Sequence, residues 1–160
     1  MKISFLYSQL SNYKSLYEYV SIDQILKQNN FHRTYRAKAN PNLNKVVKSS
    51  KTLYFKVKSR TIPNRKYLVT VKIDPKFFIT RLSNSKKLTP KKVAKLKVKV
   101  HCNCPDFLYG GFKYLAYINN YGTKKELRYP IRNNPNLKGS VCAHILPVLQ
   151  NLHKYIGYLL

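Results

Sequence analysis

Lys95-Leu96-Lys97-Val98-Lys99-Val100-His101-Cys102-Asn103-Cys104 is the stretch on which the fold turns. Ala94, Leu96, Val98 and Val100 alternate with Lys95, Lys97 and Lys99. That period of two predicts a half-buried strand over 94–100, apolar on one face and lysine on the other. The strand runs straight into a Cys-x-Cys pair. A second pair, Cys142-Ala143-His144, follows after residues 105–141. The chain has three cysteines, and all of them fall in these two motifs. Three thiols and one imidazole are the donor set of a closed tetrahedral zinc site. Cys102, Cys104, Cys142 and His144 are therefore the candidate ligands of one Zn2+. With four protein donors no position stays open for water or substrate, so the expected role is structural. Binding is expected to be coupled to folding and to tie the basic strand to a C-terminal helix. His101 abuts Cys102 and is an alternative imidazole, for the metal or for a phosphate.

Outward from this stretch, two further runs alternate. Leu53, Phe55 and Val57 interleave with Tyr54, Lys56 and Lys58, and Tyr67, Val69, Val71 and Ile73 with Thr70 and Lys72. Pro63-Asn64 between them is turn chemistry, so the two runs predict a hairpin. Asp74-Pro75 ends the second run, because proline has no N–H for a ladder. Tyr13, Leu16, Tyr17 and Val20 fall at helical spacing, with Ile22, Ile25 and Leu26 continuing the stripe, so residues 1–30 read as mostly helical. Residues 31–38 read as an exposed basic arm, Pro41-Asn42-Leu43-Asn44 as a turn, Phe77-Phe78-Ile79 as a short apolar run, and 83–92 as a polar loop. Pro105-Asp106-Phe107-Leu108-Tyr109 predicts a helical turn with proline and aspartate where a first turn favours them. Phe112, Leu115 and Ala116 predict another helix, and 123–140 a loop. Ser140 is a candidate cap for a last helix beginning near Cys142 and carrying Ile145, Val148, Leu149, Leu152, Tyr155 and Ile156. Pro147 then has to lie in the first turn, and His153 on the surface.

The fold class expected is α+β: a small antiparallel sheet with N-terminal and C-terminal helices, its C-terminal half stabilised by zinc. At 160 residues one domain, 1–160, is the default. Within it, 1–93 forms a basic α/β part and 94–160 the metal-binding part.

Charge narrows the partners. The chain carries 31 Lys+Arg against 5 Asp+Glu, a net +26. From Arg33 to Lys99 there are 21 basic residues and one acid, Asp74, a net +20. Self-repulsion on this scale is offset by a polyanion, most commonly nucleic acid, or by an acidic protein surface. Lys56, Lys58, Lys72, Lys95, Lys97 and Lys99 are the candidate contacts, as lysines on the outer faces of strands. Edge-strand lysines also prevent aggregation, which is the plainer account of them. The insert is rich in tyrosine, a residue suited to interfaces.

Other classes are disfavoured. No paired carboxylates suggest acid–base catalysis, and no glycine-rich phosphate loop is present among five glycines. A zinc deaminase needs a glutamate beside its ligands, and neither Glu18 nor Glu126 stands there. The expectation is a protein that is not an enzyme and has no small-molecule substrate. No apolar run reaches the ~20 residues that span a bilayer, and Met1–Tyr7 does not read as a signal peptide. An odd cysteine count argues against a disulfide framework and for a reducing compartment, not secretion.

The ligand pattern resembles the SWIM-type zinc finger: C-x-C, a variable spacer, then C-x-H. Cys102, Cys104, Cys142 and His144 fill its four positions, and the likeness covers about residues 94–156. The spacer, residues 105–141, is longer than in many such fingers. Pro105-Asp106-Phe107, the tyrosine-rich helix, Arg132-Asn133-Asn134-Pro135-Asn136 and Ile145-Leu146 after His144 look like long-spacer versions in proteins of tailed bacteriophages, virion proteins among them. The resemblance implies a non-catalytic module that binds DNA or protein. It points to a structural protein of a virion, located there or in the host cytoplasm, facing packaged DNA or acidic virion proteins. The alternative is a free accessory or regulatory nucleic-acid-binding protein.

Overall fold

The structure, a computed structural model, describes residues 19–28, 41–76 and 88–160. The expectations for Tyr13, Leu16 and Tyr17, for the arm at 31–38, for Phe77-Phe78-Ile79 and for residues 83–87 lie outside these. Five antiparallel strands form one sheet: β1 (Val20–Ser21), β2 (Asn42–Val47), β3 (Thr52–Lys58), β4 (Lys66–Ile73) and β5 (Lys97–Cys102), in the order β1-β5-β4-β3-β2. The helices that lie wholly among the described residues are α1 (Ile22–Lys27), α2 (Pro90–Val93), α3 (Pro105–Tyr109), α4 (Phe112–Ile118) and α5 (Ile145–Asn151), followed by two 3₁₀ turns, Leu152–Lys154 and Ile156–Leu159. The coarse architecture is thus the expected small antiparallel sheet with helices.

The β3–β4 hairpin forms as its alternation requires. Leu53 pairs with Val71, Phe55 with Val69 and Val57 with Tyr67. All six point into the core, and at most 7% of any one is exposed. Each such side chain contributes roughly 1.5–3 kcal/mol by its burial. In the connecting turn Asn64 takes φ 62°, a left-handed conformation asparagine tolerates well. β5 pairs with β4 through Val71–Val100 and Ile73–Val98, which adds Val98, Val100 and Cys102 to the same face.

Three expectations are corrected. Asn42–Val47 is a strand, not a turn. A bulge between Leu43 and Lys45 inserts one residue, so Leu43 faces Phe55 while Val46, three positions on, faces Leu53. Val20 belongs to a strand rather than to a helical stripe, paired with Val98, and α1 begins only at Ile22 with Ile22 and Ile25 buried. Residues 90–93 form a short helix, so β5 starts at Lys97. Thr89 caps that helix through its hydroxyl to the Lys92 N–H, and Pro90 follows at the first helical position. Leu96 is buried at the helix exit, where its carbonyl accepts from the Ile22 N–H at 3.0 Å.

Helices and 3₁₀ turns cover one face of the sheet, giving two layers around one core. Tyr155 packs edge-on against Phe55 at 5.1 Å and donates to the Pro41 carbonyl at 2.8 Å. The last helix is shorter than its stripe suggests. The Asn151 side chain donates back to the Pro147 carbonyl at 2.8 Å, a local bond that competes with the helical ladder. Leu152, Ile156 and Leu159 are nonetheless buried, carried by the 3₁₀ turns.

Candidate metal centre

Extended backbone places Cys102 and Cys104 on one side and Asn103 on the other. Cys102 ends β5, on its core face. Cys104 caps α3, its sulfur accepting the Phe107 N–H at 3.3 Å, while the Cys102 sulfur accepts the Cys104 N–H at 3.4 Å. Asn103 fixes this arrangement from outside. Its Oδ1 accepts the Leu68 N–H at 2.8 Å, and its own N–H donates to the Leu68 carbonyl at 3.2 Å. The turn carrying both thiols is thereby pinned to β4.

The second pair lies just before α5. His144, not Ser140, stands at the N-cap position, and α5 starts at Ile145. Pro147 is the third helical residue, where the missing N–H costs no helical bond. Ser140 is displaced from capping because its segment is held elsewhere: the buried Tyr121 hydroxyl donates to the Ser140 carbonyl at 2.7 Å. The Tyr121 carbonyl in turn accepts the Val100 N–H at 2.7 Å. Residues 105–141 therefore return along β5 before reaching Cys142. The His144 ring lies 4.7 Å from that of Tyr67 at the start of β4.

The donor atoms of Cys102, Cys104, Cys142 and His144 all lie within 4.8 Å of one another. The three cysteines are free and fully buried. Among the described residues, Nδ1 of His144 is buried with no hydrogen-bond partner. A buried polar atom of this kind requires satisfaction, and a cation among the four donors would supply it. The thiols are mutually coupled. Hydrogen bonds from Cys102 and Cys142 pull Cys104 far below the usual thiol range. The bond to Cys104 pushes Cys102 up, and burial pushes Cys142 up. All three carry negative charge together only when a cation offsets their repulsion. The residues present fit one metal ion.

His101 lies outside this cluster. Its ring packs edge-on against Phe107 at 5.2 Å. Burial, then the charges of Lys124 and Lys113, lower its pKa to about 4, so the ring is neutral at pH 7. His153 is half-buried in a 3₁₀ turn and is also outside the cluster.

The candidate contact lysines divide. Lys56, Lys58, Lys72 and Lys97 lie on the sheet face opposite the core; Lys72 is half-buried and the others are exposed. Lys99 shares that face but is only 7% exposed, with its Nζ 5.2 Å from the Tyr19 ring centroid. The alternation assigned Lys99 to the right face without showing that Tyr19 covers it. Lys95 precedes β5 and is outside the sheet. Lys45, opposite Tyr54, and Lys66, opposite Lys58, join the face. Lys45 was missed because the bulge hides the period of β2.

Within the insert, Glu126 is 7% exposed and gripped by both arms of Arg128, at 3.0 and 2.9 Å, with Lys113 at 3.6 Å. The Arg128 hydrogen bonds hold its carboxyl at about 2. Glu126→Gln is expected to destabilise the protein at pH 7 by about 1 kcal/mol, since the Arg128 arm of the pair is exposed to solvent, read as a lower urea midpoint. The folded-state pKa is depressed, so the stabilisation is full above the ordinary value of 4.5 and fades toward 2. The gap between wild type and variant should narrow over that window.

No protein-family model, curated protein or solved structure matches this chain. Its fold and site define a class on their own terms: a small α+β protein with a Cys₃His cluster, its three cysteines buried, at one end of the sheet and lysines on the sheet face away from the core.

Proposed function

We propose that the protein is a non-enzymatic, zinc-stabilised basic structural component of a phage-like virion, whose lysine face contacts packaged DNA or an acidic structural protein. The observation that carries this reading is the strand register. It places Lys45, Lys56, Lys58, Lys66, Lys72 and Lys97 on one face while the other packs the core. Such a face tracks a phosphate backbone without reading sequence.

Zinc is the metal that best suits three thiolates and one imidazole. Zn–S bonds of about 2.3 Å give tetrahedron edges of roughly 3.8 Å, and the donors, within 4.8 Å of one another, need only a small contraction. The closed donor set supports a structural role and a SWIM-type reading of the site. Zinc would supply a cross-link; Asn103, Tyr121 and the Tyr67 ring orient the groups it joins.

A protein neighbour is supported by the insert. Of eight exposed large hydrophobics among the described residues, five fall in it: Tyr109, Ile118, Leu127, Tyr129 and Ile131. Tyr109, Tyr129 and Ile131 line one depression together, and a contiguous apolar patch of this kind marks protein contacts. Mass spectrometry of purified particles is expected to find the protein as a constituent. Its absence from particles, with retention on nucleic acid in cell extracts, would replace the virion role by a free accessory one.

A further inference from the structure

The open face of the sheet is not uniformly basic. Tyr54, Thr70 and His101 form a row across it, one residue from each of β3, β4 and β5, in direct cross-strand register. They floor a depression of about 550 Å3, together with Leu68, and Lys72 and Lys124 stand on its wall. The volume falls within the roughly 300–1,000 Å3 of small-ligand sites. None of its described lining residues is acidic.

Lysines alone suffice to follow a phosphate backbone and need no depression. Here the floor offers a tyrosine ring, an imidazole braced by Phe107 at 5.2 Å, and an aliphatic side chain. Asn103, hydrogen-bonded to both backbone groups of Leu68, holds the end of the floor in place. A surface of ring and aliphatic groups beside two lysine ammonium groups matches one chemical unit: a base with its phosphate. Bases inside a duplex are stacked on both sides, so only an unpaired base can present its face to a ring. Lys45, Lys56, Lys58 and Lys66 continue the positive charge beyond the depression, over β2, β3 and β4. A strand therefore gains contacts that a free mononucleotide does not.

We propose that this depression seats an unpaired nucleotide of single-stranded DNA, the base against Tyr54 and the phosphate at Lys72 and Lys124. The inference rests on the nucleic-acid reading above and narrows it from backbone tracking to strand-specific capture.

Fluorescence anisotropy with labelled oligo(dT), and with its oligo(dA) duplex at the same salt, tests it on the full chain. Single strands are expected to bind about tenfold tighter, the order of one base–aromatic stack. Tyr54→Ala should abolish the difference and Tyr54→Phe should keep it, with zinc content unchanged in both. Ultraviolet cross-linking of oligo(dT) to the unmodified protein, mapped by mass spectrometry, should label the β3 peptide containing Tyr54. Equal affinity for single and double strands, or cross-links confined to other peptides, would overturn the pocket and leave the lysine face standing. No binding of either probe at low salt would overturn both.

Discussion

Cys104→Ser is expected to lose the metal and to unfold the C-terminal half at neutral pH. Serine is a good N-cap, so the start of α3 keeps a side-chain acceptor for the Phe107 N–H. Its hydroxyl does not ionise near neutrality and is a poor zinc ligand, so the substitution separates the metal role from the capping role. Without an ion, the two ligand pairs lose the cross-link it would supply, and the 105–141 insert is held by contacts such as Tyr121 to Ser140. Structural zinc in small domains supplies about 10–16 kcal/mol of apparent binding free energy, more than most domains have as net stability. Part of that loss is offset by the hairpin core, which supplies none of the four donors, so partial unfolding is the expected result. Elemental analysis should fall from one zinc per chain to none, and near-ultraviolet circular dichroism should lose the signal of packed tyrosines such as Tyr121. A strong chelator acting on the wild type should do the same and expose three thiols to titration. Anaerobically purified wild type with no bound metal would sink the assignment.

The hairpin was legible because one of its faces is wholly buried, which forces strict alternation from Leu53 to Val57 and from Tyr67 to Ile73. β2 was not legible. Its bulge puts core residues Leu43 and Val46 three apart, and two polar residues between them look like a turn. β1 is two residues long and exists only through its pairing with β5. The cluster was readable as two spaced pairs, since ligands must converge from short local motifs. Its supports were not readable. Asn103 acts on Leu68, 35 positions away, and Tyr121 on Ser140, 19 positions away. Neither spacing leaves a local pattern. Lys99 illustrates the same limit: periodicity assigns a face but does not say what lies over it.

The second large effect concerns the open face, and the structure supplies its control. Lys56, Lys58 and Lys97 are exposed on that face. Lys91, Lys95 and Lys154 are also exposed but lie outside the strands. Reversing either trio to glutamate lowers the net charge by the same six units, so any difference reports position rather than overall attraction. Each phosphate contact contributes about 0.7–0.9 to the slope of log K against log salt. Removing three should flatten the slope by roughly 2–3 and weaken DNA binding at 50 mM salt by orders of magnitude. The off-face trio should change the slope by less than about one, since its charges act only through screened, longer-range attraction. Zinc content should be unaffected by both, because none of the six residues belongs to the donor set. A filter-binding series across salt measures it. If the off-face trio weakened binding as much as the on-face trio, the polyanion contact would be spread over the whole surface. The register that gathers the lysines on one side of the sheet would then be a consequence of keeping the other side apolar.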